Sequence, residues 1–272
     1  MGLLNYLTFD GVKTSDYGVF ISGEGTFNAP ERRGELINIP GRNGALFIDE
    51  GSFENIEVTY PAFIGSNVDN VFRNRLAALR NEYKTRVSYV RLEDTYHPDE
   101  FRLAFYQSGL EVEPWALNRS GQFELIFNCK PQRFLKSGET VETYTANGYI
   151  TNPTLFDALP LIKVEGDGQV AIGSYTFTVS DNPGVIYIDT EIMECYVPAG
   201  EVTNWTDEEL QDMTDEYGII LQLANGPEEV ISMNSFVSFT NSLMPKIEPG
   251  EQNVGLQNTI TSVEITPRWW QI

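Results

Sequence analysis

The interval between turn residues is what most narrows the folds open to this chain. From Leu161 onward, short runs rich in β-branched and aromatic residues follow one another: Leu161 to Val164, Gln169 to Ile172, Tyr175 to Val179, Val185 to Asp189 and Ile192 to Val197. They are separated by clusters such as Glu165-Gly166-Asp167-Gly168 and Asp181-Asn182-Pro183-Gly184. Turn residues recurring at about 8 to 12 positions leave room for strands of about four to six residues and none for the helices of a βαβ unit. The pattern predicts an antiparallel sandwich rather than a parallel α/β sheet.

The first half carries the same signature with one interruption. Ile37 to Tyr60 reads as strand, turn, strand, turn, strand, with Asn43-Gly44 at the first reversal and Glu50-Gly51 at the second. Asn-Gly suits a two-residue type I′ turn because both central residues need positive φ, while Pro40, Gly41 and Arg42 just before it allow a longer loop. These glycines lie between strands, whereas a phosphate-binding loop needs them between a strand and a helix. The interruption is a helix from about Val68 to Lys84, with Ser66 or Asn67 as N-cap and Val68, Val71, Phe72, Leu76, Leu79 and Tyr83 in one apolar stripe. Arg73, Arg75, Arg80 and Lys84 occupy much of the remainder. A lone helix of this kind lies across a sheet and turns its basic side either to solvent or to an acidic patch on an adjacent subunit.

Strands resume at Arg86 to Leu92, Phe101 to Phe105 and Gly121 to Cys129, with Glu113-Pro114-Trp115 as a turn or edge because proline cannot donate to a ladder. Lys136 to Tyr149 is polar and Thr-rich and reads as a connector. Thr206 and Glu209 have capping-box spacing at the start of a short acidic helix. Of the terminal pair Trp269-Trp270, one indole should plug the core and the other face outward, where Arg268 could stack on it.

At 272 residues, 41% hydrophobic and 12% aromatic, the chain has material for folded domains rather than a disordered polymer. No apolar run reaches the length of a membrane span, and Met1 to Asp10 lacks the pattern of a signal peptide, so a soluble cytoplasmic product is expected. The net charge of −21 is unevenly spread: residues 1–145 hold 15 Lys plus Arg against 20 Asp plus Glu, residues 146–272 hold 3 against 19. The first half is balanced enough to pack against like copies, whereas the second repels neighbours and nucleic acid alike.

Little here supports catalysis. His97, the one histidine, stands in a loop with no evident partner, and triad or Cys-His chemistry needs a positioned imidazole. Cys129 and Cys195 are expected as free, buried thiols, and with one histidine they cannot build a zinc site. Carboxylates at Asp207, Glu208, Asp212, Asp215 and Glu216, or at Glu165, Asp167 and Asp189, do not repeat like a calcium loop, so neither metal nor cofactor is assigned. Carbohydrate binding, or a weak glycosidase, stands as the alternative function. Tyr175, Tyr187, Tyr196, Trp205 and Tyr217 are either a glycan platform or core, with Trp205 and Tyr217 the candidate surface for glycan or partner.

Several ordered segments resemble the distal tail protein (Dit) family of long-tailed, non-contractile phages. They are Phe9-Asp10-Gly11, Asp16-Tyr17-Gly18, Ala29-Pro30-Glu31-Arg32, Ile39 to Gly44 and Asp49 to Asn55, then Asn152-Pro153-Thr154, Ala158 to Gly166, Tyr187-Ile188-Asp189, Pro249-Gly250-Glu251 and Pro267 to Trp270. Gln252 stands where the family often has Asn. The resemblance implies a mainly β protein of two β-sandwich domains, 1–140 and 141–272, the first with one α-helix and a protruding β-hairpin, the second galectin-like. It implies a non-enzymatic hub at the virion tail tip, assembled in the host bacterial cytoplasm as a hexameric ring around a DNA channel. The expected partners are tail tube protein on one side and tail-associated, baseplate and receptor-binding proteins on the other, without sequence-specific nucleic-acid binding or membrane insertion. Gly41, Arg42, Asn43, Gly44 and Phe47 of the hairpin are its expected ring contacts.

Overall fold

The structure is a computed structural model in which residues 4–23, 26–65, 71–115, 120–203, 230–257 and 259–272 are described. The chain divides into two compact units, Met1–Phe134 with Ile272 and Leu135–Gln271, each with its own hydrophobic core.

In the first unit, β1 (Leu7–Phe9), β2 (Val12–Lys13), β3 (Val19–Ile21), β4 (Arg32–Asn38), β5 (Ala45–Phe53), β6 (Ile56–Gly65), α1 (Val71–Lys84), β7 (Val90–Asp94), β8 (Glu100–Phe105), β9 (Val112–Trp115) and β10 (Ser120–Cys129) follow in order. Seven strands build one antiparallel sheet, β2-β1-β7-β8-β10-β6-β3, curled into a half-barrel, and β9 pairs with β10 alone, as an edge. Strand alternation sets its two faces. Ile56, Val58, Tyr60, Ala62 and Ile64 of β6 point inward beside Phe123, Leu125, Phe127 and Cys129 of β10, and all are buried. α1 covers this face. Its Leu79 and Tyr83 are fully enclosed, and the Tyr83 ring meets Phe9 at 5.0 Å, Tyr106 at 5.5 Å and Phe127 at 6.0 Å. Each such large apolar side chain contributes about 1.5 to 3 kcal/mol through its removal from water. The expected cap and first stripe residue, Ser66, Asn67 and Val68, lie outside the described residues.

Proline in a central strand needs an explanation, since β6 runs through Pro61 with a neighbour on each side. The Pro61 carbonyl accepts the Ser22 N–H at 2.8 Å, so its backbone polar side faces β3 just past that strand's last paired residue. The missing donor therefore breaks no bond to β10.

β11 (Arg133–Leu135) crosses into the second unit in sequence. There β12 (Glu142–Tyr144), β13 (Gly148–Asn152), β14 (Leu161–Glu165), β15 (Gly168–Ile172), β16 (Tyr175–Val179), β17 (Ile186–Asp189), β18 (Glu194–Pro198), β19 (Val230–Ser232), β20 (Val237–Phe239), β21 (Gly250–Leu256) and β22 (Ser262–Thr266) form two antiparallel sheets. Their orders are β12-β22-β14-β17-β18-β19 and β13-β21-β15-β16-β20, a sandwich closed over Ile162, Val164, Ile186 and Ile188 from one side and Val170, Ile172 and Phe177 from the other. The supposed connector is not a linker: β12 and β13 come from it, one entering each sheet. Threonine-rich polar sequence is compatible with strands at sheet margins, where only one side is buried. β23 (Trp270–Gln271) ends the chain.

Trp269 fills the second core, while Trp270 stacks on Phe156 at 4.4 Å and donates its indole N–H to the Asp157 carbonyl. Arg268 does not stack on an indole. It takes a left-handed backbone conformation (φ 59°) and grips Asp189 with two bonds of 2.7 and 2.9 Å. A carboxylate as buried as Asp189 requires a charged, hydrogen-bonding partner, and that need outweighs a cation–π contact.

Candidate assembly surface

β4 and β5 leave the half-barrel and pair only with each other, as an arm. Its base is fastened by ions: Arg32 meets Asp49 at 2.6 Å and lies over the Phe53 ring, and Arg33 grips Glu54 with bonds of 2.7 and 2.8 Å. The Asp49 carboxyl is held below its usual range first by the Gly51 N–H and then by Arg32; that of Glu54 is lowered by Arg33. Glu50-Gly51 is not a reversal. Gly51, at φ 72°, sits inside β5 and supplies a bulge, the register jumping from Arg32↔Phe53 to Gly34↔Asp49, and the chain turns instead at Glu54-Asn55. At the far end the strands are joined by the six residues from Ile39 to Gly44. Positive φ falls on Gly41 and Gly44 but not on Asn43, which excludes a two-residue type I′ turn at Asn43-Gly44.

The blade of the arm is apolar on both faces and open to solvent. Leu36 stands opposite Phe47 on one face, Ile37 opposite Leu46 on the other, with Leu36 68% and Phe47 44% exposed. Gly34 makes room for the Phe47 ring, whose edge would lie 2.4 Å from any Cβ there. Of the expected hairpin residues, Gly41, Arg42, Asn43 and Gly44 therefore form the tip and Phe47 the blade, all of them exposed.

On α1, Arg73, Arg75 and Arg80 are exposed and make no ion pair among the described residues, with Arg75 lying over Gly18. Lys84 differs from the other three. Its ammonium donates to the Gln107 and Ser108 carbonyls at 3.0 and 2.6 Å beside the Tyr106 ring, tying the end of the helix to the segment that follows β8.

The opposite face of the sheet holds a groove of about 820 Å³. Its floor includes Pro61, Phe63 and Ile126, the outward positions of β6 and β10, and Phe63 is 41% exposed. Glu111, Glu113 and Glu124 edge it. Val112 pairs with Phe123 and Glu113 with Gln122, which brings Glu113 and the preceding Glu111 to the edge of the strand that carries Glu124, and none of the three meets a cation among the described residues. Sequence reading missed this groove because its carboxylates come from separate segments that only strand pairing brings together.

His97 is not the free loop residue the sequence suggested. Its side chain is 16% exposed, Nδ1 lies 3.0 Å from Asp94, which also accepts the Tyr60 hydroxyl, and the Phe27 ring packs edge-on against it. Nε2 is enclosed and has no hydrogen-bond partner among the described residues. Burial pushes the Cys129 and Cys195 thiols up to about 12, which keeps them protonated and unreactive. Among the described residues no three His, Cys, Asp or Glu side chains converge as a metal site. Tyr187 and Tyr196 stack on each other at 5.5 Å, with Tyr196 buried, so these two do not form an open glycan platform. Trp205, Tyr217 and the acidic segment Thr206 to Tyr217 lie outside the described residues. No described helix is long and apolar enough to cross a membrane.

The architecture of the chain, mainly β with one described α-helix, matches a Dit-like fold. The chain is similar to the SPP1 Dit (gp 19.1) protein, described as a paradigm of the hub adsorption apparatus in phages infecting Gram-positive bacteria, with a TM-score of 0.66 and 13% identity over 99% of this chain and 100% of that one. It is also similar to a chain of the phage p2 baseplate in its activated conformation with strontium, with a TM-score of 0.50 and 8% identity over 97% of this chain and 98% of that one. No family model and no curated protein matches the sequence.

Proposed function

We propose that this chain is a non-enzymatic structural hub of a phage tail tip or baseplate. Copies form a hexameric ring through the first unit, around a channel for DNA, and join the tail tube protein to tail-associated and receptor-binding proteins. The ring belongs to the virion tail tip and is built in the cytoplasm of the host bacterium. The arm carries this reading: an isolated two-stranded hairpin is marginal in water, and one with apolar side chains on both faces gains stability by burying them against a partner. The fold supports it, and so does the charge distribution, since a nearly balanced first half tolerates close packing and an acidic second half suits an outer, solvated position.

The test is mass photometry of the full chain across a concentration series, with and without tail tube protein. A six-copy species that binds tube protein is the expected result. A strict monomer that also ignores tube protein overturns the proposal, and release of sugar from host cell wall, abolished by changing one carboxylate, replaces it with the glycosidase reading.

A further inference from the structure

The arm and the groove are complementary in charge, and both expose apolar side chains. The arm is a blade with apolar residues on both faces, ending in Arg42, which is exposed and forms no ion pair among the described residues. The groove sets the apolar residues Pro61, Phe63 and Ile126 beside polar lining and three carboxylates, Glu111, Glu113 and Glu124, which meet no cation among the described residues. Each lacks what the other supplies. An exposed apolar blade gains from cover, Phe63 and its apolar neighbours offer it, and carboxylates set side by side along a sheet edge attract a cation placed among them.

We infer that the arm of one copy lies in the groove of the next, with Arg42 set among Glu111, Glu113 and Glu124. This inference rests on the ring-forming reading and names the surface that receives the arm. The contact is heterologous, because arm and groove are different surfaces of the same unit, and a repeated heterologous contact either closes into a ring or runs on as a filament. It also assigns the groove to protein rather than to a small ligand. The carboxylates orient the incoming tip and reject a wrongly placed one, while Phe63 and its apolar neighbours meet the side chains of the blade.

Charge reversal in both partners, followed by mixing, tests it on the full-length protein. Arg42→Glu places a carboxylate tip over an acidic groove, and the triple change Glu111→Arg, Glu113→Arg, Glu124→Arg places a cationic tip over a cationic groove. Alone, each variant should self-associate about a hundredfold more weakly than the unchanged protein, since facing like charges across an interface costs several kcal/mol. Mixed in equal amounts, they should recover assembly to within about threefold, because every tip then finds an opposite groove in strict alternation. Rescue by mixing also shows that both variants are folded. If either variant alone assembles as well as the unchanged protein, or if the mixture stays as weak as its components, the arm-in-groove contact is wrong while the ring reading stands. If the unchanged protein never assembles, the ring reading fails and takes this inference with it.

Discussion

Phe177 and Phe47 are the same residue on antiparallel strands, yet the two units place them oppositely. Phe177, on β16, is completely buried in the sandwich, whereas Phe47, on β5, is 44% exposed on a strand that no sheet of its own unit receives. In the second unit every named strand belongs to one of two sheets over a shared core, save the terminal pair of residues in β23. In the first, two of the longer strands contribute nothing to the core. Among the described residues, the strands of the second unit are thus spent on its own core, while the first carries two strands whose apolar side chains stay exposed.

The largest effect should come from breaking the completed side. Phe177→Ala should destabilise the second unit by about 3 to 5 kcal/mol, the range for a buried aromatic replaced by alanine, and leave self-association unchanged once the protein is folded. Calorimetry combined with mass photometry separates these readouts. An equal loss of assembly would mean that the second unit also takes part in the ring contact.

Next comes the buried pair in the same unit. Arg268→Ala should cost about 2 to 4 kcal/mol, because it strands Asp189 with a largely buried, uncompensated charge. Arg268→Lys should recover only part of that, since an ammonium cannot repeat the two-pronged geometry. Thermal melts of both variants give the comparison.

Phe47→Ser inverts the pattern of Phe177. Its effect on monomer stability should stay within about 0.5 kcal/mol, as for other exposed positions, while self-association weakens at least about tenfold. Sedimentation of the two variants side by side sharpens the distinction between apolar surface buried by folding and apolar surface reserved for a partner.

Smaller again is the effect of Arg102. It is buried near Tyr60, Cys129 and Arg133, and neither of its terminal nitrogens has a hydrogen-bond partner among the described residues; burial, then Arg133, lowers its pKa. Arg268 is matched and Arg102 is not. Arg102→Met should therefore raise the stability of the first unit by about 1 kcal/mol, an apolar side chain replacing an uncompensated charge. A fall in its melting temperature would show that the guanidinium contributes to packing in a way the hydrogen bonds do not reveal.

What could be read beforehand followed local rules. Turn spacing gave the sandwich, the three-and-four spacing of Leu76, Leu79 and Tyr83 gave the buried side of the helix, and strand alternation divided Trp269 from Trp270. What failed depended on pairing. Glu50-Gly51 is equally good chemistry for a turn and for a bulge, and only the β4–β5 register decides between them. Pro61 argues against a central strand until it is known that β3 stops opposite it. Glu111 and Glu113 precede Glu124 by 13 and 11 residues, but only the pairing of β9 with β10 brings their segments alongside, so the groove has no linear signature. His97 looked isolated because its partner, Asp94, is supplied by the way the chain turns after β7.

The mildest prediction concerns the root of the arm, where exposed ion pairs replace the apolar packing that holds the second unit. Asp49 and Glu54 are both held below the usual carboxylate range in the folded protein. A carboxylate lowered on folding contributes order that is fully present above its unfolded pKa and is lost as pH falls through its folded value. The arm should therefore be ordered at neutral pH and loosen progressively as pH falls through and below the usual carboxylate range. Ile162, Ile188 and Phe177 in the sandwich core do not titrate and are the internal reference for the arm. Because the groups at the root are solvent-exposed, salt should weaken the same contacts at neutral pH. Backbone amide spectra of residues 32–54 collected from pH 7 to pH 2.5 give the answer: an arm as ordered at the acid end as at neutrality would mean that strand pairing alone, not Arg32 and Arg33, holds it in place.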